Sequence, residues 1–211
     1  MDIVCLLFEG ITALDIVGPY EVLQRLPDAD VKFVAESAGE VRTDNTFLAL
    51  VADHARSEIT SADVLVVPGG FATRALESDA DLLEWIRAID ATSTWTTSVC
   101  TGSMLLAAAG LLEGKEATTH WASLERLAEY GAIPTGRRVV EQGKIVTAAG
   151  VSAGIDMGLT LAARIAGDEY AQGIQLGIEY DPQPPFTSGS LATAPKPVAD
   201  FMTALYSGRG L

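Results

Sequence analysis

Short, uninterrupted apolar runs alternate along this chain with longer stretches in which apolar residues recur every three or four positions. Ile3-Val4-Cys5-Leu6-Leu7-Phe8 has the length and continuity of a strand covered on both faces. From Leu14 to Leu26, Ile16, Tyr20, Leu23 and Leu26 fall near helical spacing. Val31 to Ala35 and Phe47 to Ala52 predict further strands, and Asp63-Val64-Leu65-Val66-Val67 is the clearest, stopped abruptly by Pro68-Gly69-Gly70. A helix over 80–90 follows, its buried face supplied by Leu82, Leu83, Trp85, Ile86 and Ile89. Next come a strand over 93–98, a turn at Val99-Cys100-Thr101 and a small-residue helix over 102–109. A helix over 121–129, strands over 138–140 and 144–147, and a helix over 153–166 complete the pattern. Strands alternating with helices imply an α/β sandwich around a mostly parallel sheet.

No repeat or composition shift divides residues 1–180, which are expected to form one α/β domain. The tail differs. Pro182, Pro184, Pro185, Pro195 and Pro197, with interspersed glycine and serine, predict an extended arm over 181–211. Two readings of that arm stand: a plain linker, or a segment packed on the domain or a partner subunit, or roofing a pocket.

Composition narrows the function classes. With 211 residues and 22.2 kDa, one large core is available without disulfides or structural metal. Fourteen basic against 28 acidic residues leave a net charge of −14, which repels phosphate backbones and anionic lipid. Neither nucleic-acid nor membrane binding is expected. Two cysteines make no disulfide framework, the start Met1-Asp2-Ile3-Val4 has no basic region, and no apolar run approaches membrane-spanning length. A cytoplasmic protein is expected.

In open α/β sheets ligands bind beyond the carboxyl ends of the strands. Asp15, Gly69-Gly70 and Cys100 all fall there, after separate strands. Ser98-Val99-Cys100-Thr101-Gly102-Ser103 runs from strand straight into helix, like a nucleophile elbow that exposes one side chain. A thiol at a helix start meets free backbone N–H groups, which favour its thiolate. The alternative is a buried structural cysteine, the reading that Cys5 invites inside its apolar strand. Gly69-Gly70 offers either a plain turn or two successive N–H groups forming an oxyanion hole. Asp15 is either a helix cap or, between Leu14 and Ile16, a desolvated carboxyl able to exchange a proton with a thiolate. His54 lies in a polar stretch and reads as a surface residue, whereas His120 could cap a helix, line a pocket or do neither. No metal-ligand spacing, dinucleotide fingerprint or phosphate-binding loop occurs, so side chains alone are expected to carry the chemistry.

Taken in order, Leu14-Asp15-Ile16-Val17-Gly18-Pro19, Val67-Pro68-Gly69-Gly70, the Cys100 elbow, Ala117-Thr118-Thr119-His120-Trp121 and the segment 150–157 resemble the ThiJ/PfpI superfamily. Cys100-Thr101-Gly102, Thr118-Thr119-His120-Trp121 and the late run Gln175 to Pro182 with Pro184-Pro185-Phe186 resemble its isocyanide hydratase family. The resemblance implies a flavodoxin-like three-layer sandwich, a homodimer, no cofactor and a small uncharged organic substrate. It further implies Cys100 as nucleophile, Asp15 as its acidic partner and Thr101 as a polar neighbour tuning the site. Gly69, Gly70 and His120 would then face the substrate, with Trp121 as a wall. One departure matters: protease-like branches carry histidine directly after the nucleophile, and here Thr101 stands there, removing the obvious Cys-His pair. Two alternatives remain beside isocyanide hydration, namely hydration of α-oxoaldehydes and a non-catalytic cysteine redox sensor.

Overall fold

The computed structural model describes residues 1–207. Seven strands form its main sheet, β1 (Asp2–Leu6), β2 (Asp30–Ala35), β5 (His54–Ala55), β6 (Val64–Val67), β7 (Trp95–Val99), β10 (Val139–Gln142) and β11 (Ile145–Ala148). They lie in the order β10-β11-β7-β6-β1-β2-β5, all neighbours parallel except the antiparallel β10–β11 pair. Two ribbons stand apart: β3 (Gly39–Arg42) with β4 (Ala49–Ala52), and β8 (Glu116–Ala117) with β9 (Ile133–Pro134).

Period-two alternation in β1 feeds two separate cores. Val4 and Leu6 point, with Leu65 and Val67 of β6, toward α3 (Ala80–Thr92) and α4 (Gly102–Ala108), meeting Leu82, Ile86, Met104 and Leu105. Ile3 and Cys5, with Val64 and Val66, face the other side. There they meet Ile16, Val22 and Leu23 of α1 (Ala13–Leu23), Leu161 of α5 (Ala153–Ala166) and Ile174 of α6 (Asp168–Gly177). Helices on both faces of the sheet make the three-layer, flavodoxin-like α/β sandwich. Asp79 starts α3 by accepting the Leu82 N–H at 3.0 Å, and the four-residue α2 (Thr73–Leu76) leads into it. Gly154 and Gly158 let α5 lie against α1, where an added Cβ would come within 3.0 Å of Pro19 and of Val22 respectively.

Several sequence expectations need correction. The strand foreseen over 47–52 begins only at Ala49 and pairs antiparallel in the β3–β4 ribbon, leaving Phe47 92% exposed. His54 is half-buried, because β5 is hydrogen-bonded to β2 at the sheet edge. Trp121–Tyr130 winds as a 3-10 helix rather than an α-helix. Its apolar residues Trp121, Leu124, Leu127 and Tyr130 recur every three positions, and 3-10 winding stacks such a series on one face. The arm is irregular to residue 195, but Lys196–Ser207 forms a further helix, α7, with Pro197 in its first turn. The last four residues of that arm, 208–211, lie outside the described residues. Among the described residues no helix is long and apolar enough to cross a membrane.

Candidate functional site

β1, β6 and β7 are adjacent, and the chain leaves each at the same edge of the sheet. Beyond β1, α1 begins and carries Asp15 in its first turn; β6 ends in Pro68-Gly69-Gly70; β7 ends at Val99 and delivers Cys100. This is the crevice where the connections from neighbouring strands diverge.

Cys100 holds a left-handed backbone with φ +56°, rare for a residue with a side chain. Its neighbours hold it there. The Cys100 N–H donates to the carbonyls of Ala148 (3.1 Å) and Ala149 (3.2 Å), while its own carbonyl accepts from the Thr119 hydroxyl (2.9 Å) and the Ser103 hydroxyl (3.2 Å). Gly102 makes the sharp exit possible, since a Cβ there would fall 2.1 Å from the Val67 carbonyl oxygen. The sulfur is directed at the Asp15 carboxyl and receives the backbone N–H groups of Thr101 and Val151. Val151 itself has φ +34°.

Asp15 is fully buried. Its Oδ2 accepts the Gly69 N–H at 3.0 Å, whereas Oδ1 has no hydrogen-bond partner among the described residues. Burial pushes its pKa up to about 7, against the Gly69 hydrogen bond and the Cys100 interaction, which lower it; the charge of nearby Asp44 adds to the rise. Burial and the neighbouring carboxylate hold the Cys100 thiol well above the ordinary thiol range. The expected free thiolate is therefore corrected. Cys100 is only 6% exposed, and α4 is a seven-residue helix whose dipole does not outweigh that desolvation. Cys100 and Asp15 titrate as a coupled pair that shares a proton.

The two glycines also differ from expectation. Gly69 N–H is held by Asp15, and Gly70 N–H donates to the Thr101 hydroxyl at 3.0 Å, which donates back to the Gly70 carbonyl at 3.2 Å. The loop is too tightly wedged to leave them open: a Cβ on Gly70 would lie 2.4 Å from the Gly10 carbonyl oxygen, and Gly70 has φ +154°. These N–H groups set the positions of Asp15 and Thr101 instead of presenting an empty oxyanion hole. Thr101 is thereby fixed by its hydroxyl while its N–H faces the sulfur.

His120 does reach the site. It lines, with Thr12, Asp44, Gly70, Phe71, Cys100, Thr101, Val151 and Tyr206, a cavity of about 110 Å³. Its Nδ1 accepts the Ala122 N–H at 3.3 Å, which assigns the ring proton to Nε2, and burial lowers its pKa, so the ring is a neutral donor. Gly150 makes room for the ring, since a Cβ there would touch His120 Cδ2 at 2.5 Å. Trp121 stands one layer back, 5.3 Å from His120, and lines a second cavity of about 490 Å³ behind it. Asp44, Val151, Phe71 and Tyr206 were not singled out by sequence reasoning. A signal existed for Val151 in the small-residue turn after β11, and none for Tyr206, 106 positions from Cys100.

A family model described as the DJ-1/PfpI family matches residues 1–164. The chain is 47% identical over 195 residues to an isonitrile hydratase of Pseudomonas putida, spanning 92% of this chain and 85% of that protein. A crystal structure of a ThiJ/PfpI family protein from Pseudomonas syringae superposes with a TM-score of 0.95 at 41% identity, covering 98% of this chain and 86% of that one. Drosophila melanogaster DJ-1beta shares the fold at a TM-score of 0.76 and 20% identity, covering 84% and 97% of the two chains.

Proposed function

This chain belongs to the DJ-1/PfpI family, and from that premise we propose that it hydrates isocyanides (isonitriles) to N-substituted formamides. The observation that carries the proposal is the buried Asp15, with an unpartnered Oδ1 and a pKa of about 7, beside the Cys100 thiol that lines a small cavity. Similarity to an isonitrile hydratase supports it.

In the proposed sequence the proton that rests on Cys100 passes to Asp15 as the substrate arrives, leaving the charge on sulfur, where the Thr101 and Val151 N–H groups favour it. The thiolate attacks the terminal carbon of R–N≡C, forming a C–S bond, and Asp15 delivers its proton to that carbon. The product is a thioimidate, R–N=CH–S–Cys100. His120, neutral with Nε2–H as its donor, polarises the nitrogen. Water then adds to the carbon, with one proton passing to nitrogen. The tetrahedral species collapses, the C–S bond breaks, the hydroxyl proton returns to the Asp15–Cys100 pair, and R–NH–CHO leaves. Thr101 keeps the sulfur aligned. The same reading takes the working protein as a homodimer that needs no cofactor.

The test is an ultraviolet assay for formamide on purified protein with methyl and cyclohexyl isocyanide, run beside methylglyoxal. Formamide from both isocyanides, with a mass adduct of one isocyanide on Cys100 when wild-type turnover is acid-quenched and none in Asp15→Asn, is the expected result. Turnover of methylglyoxal alone, or full activity in Cys100→Ala, overturns the proposal.

A further inference from the structure

The helix α7 ends over the Cys100 cavity. The Tyr206 ring lies 5.0 Å from His120, 5.3 Å from Trp121 at 80°, and 6.5 Å from Phe71 at 19°. These are the separations of aromatic contacts. Phe71, His120 and Tyr206 line the same cavity as Cys100. On the outer side of α7 Val198, Phe201 and Leu205 are exposed, while Ala199, Met202 and Tyr206, at helical spacing, are half-buried, so this face lies on the protein and Tyr206 meets the aromatic cluster at its end.

The cavity holds about 110 Å³, and a benzene ring is accommodated by an apolar cavity of about 150 Å³. A slim isocyanide fits as the walls stand, whereas one carrying a six-membered ring crowds them and should react more slowly. Most walls are fixed. Cys100, Gly70 and Thr101 are hydrogen-bonded into the sheet edge, and His120 is held at Nδ1. Tyr206 is instead carried in from the far end of the chain through the irregular stretch before α7. The larger cavity, lined by Trp121 and Leu191 among others, shares His120 and Val151 with the first.

We propose that Tyr206 is the specificity-determining residue of this site, its ring setting the largest N-substituent that reaches Cys100. The ring's bulk, not its hydroxyl, does this. The inference rests on the isocyanide reading for the identity of the substrate, but not for the access it describes.

The test compares full-length variants by two readouts. The first is the ratio of kcat/KM for cyclohexyl over methyl isocyanide. The second is the ratio of second-order rates for Cys100 alkylation by N-cyclohexylmaleimide over iodoacetamide, which needs no hydratase activity. Tyr206→Ala should raise both ratios about 10-fold. Tyr206→Phe should keep the wild-type ratios, as should Phe201→Ala on the exposed face of the same helix. Tyr206→Trp, which adds bulk and serves if the alanine variant misfolds by circular dichroism, should lower them. Equal acceleration of small and large probes, unchanged ratios in both Tyr206→Ala and Tyr206→Trp, or a Tyr206→Phe variant that behaves like Tyr206→Ala overturns the proposal. If no isocyanide is turned over but the alkylation ratio shifts, the hydratase reading fails and the size filter stands.

Discussion

The two cysteines occupy regions that look equally closed and behave differently. Cys5 lies in the middle of β1 between Val4 and Leu6, packed beneath α1, and burial alone pushes its thiol up to about 12. Cys100 is nearly as buried, and its thiol is raised too. Around Cys5 the chain supplies regular strand and hydrocarbon. Around Cys100 it supplies a left-handed backbone, two N–H groups at sulfur and a carboxyl with one free oxygen. Burial keeps a thiol quiet only where nothing nearby can take its proton.

The sharpest way to break this contrast is to exchange sulfur for oxygen at both places. Cys100→Ser should lower formamide production by at least about 10³-fold, while leaving the melting temperature near wild type. A Cys100→Ser enzyme with wild-type kcat in the formamide assay would remove the thiol from the chemistry.

Asp15→Asn comes next, with a loss in kcat/KM of about 10²-fold or more. The pH profile gives a second handle. The singly protonated Asp15–Cys100 pair forms as the first proton leaves, so wild-type kcat/KM should rise through about pH 7 and stay high until the Cys100 proton is lost above the ordinary thiol range. Asp15→Asn should lack the rising limb. A flat wild-type profile from pH 5 to 9 would contradict the assignment.

Stability should move the opposite way. Asp15 has a folded pKa of about 7 against an ordinary 3.8, so between those values the folded state binds the extra proton. Its contribution is most favourable below about pH 4 and is lost as pH rises through 7, a cost of about 4 kcal/mol when complete. Urea midpoints should therefore place Asp15→Asn above wild type at pH 8, with the gap closing toward pH 4. A variant less stable than wild type at pH 8 would show that the buried charge is better compensated than its partners indicate.

Smaller effects sharpen the edges of the comparison. Gly69→Ala would bring a Cβ within 2.6 Å of the Thr101 nitrogen and 2.8 Å of Asp15 Oδ2, so about 1–3 kcal/mol of stability should go, together with part of the activity. Cys5→Ser should cost about 1–3 kcal/mol by burying an unpaired hydroxyl, with kcat/KM within twofold of wild type. Denaturant unfolding and the formamide assay check both.

Much of this arrangement is legible in the amino acids themselves. Continuous apolar runs mark β1 and β6 because strands covered on both faces need no polar alternation. The Cys100 elbow shows itself through the strand before it and Gly102 after it. Asp15 stands out because its immediate neighbours are apolar. Other features depend on distances through space. Gly69 and Gly70 look like two free donors in one dimension, and only the approach of Asp15 and Thr101 reveals both as taken. The β3–β4 ribbon hides because a half-exposed strand at 49–52 has the same local composition as a sheet strand. Tyr206 sits behind a proline-rich stretch that signals a linker, and nothing local in 196–207 points to the far-off cysteine it covers.

The positive φ at Cys100 has a consequence for any attempt to harden this molecule. A side chain at φ +56° is strained by about 1–2 kcal/mol, which glycine would relieve. Random libraries screened for heat resistance alone should discard the sulfur at position 100 among their earliest gains, whereas a screen that also demands turnover should retain it and harvest its improvements from the helices instead.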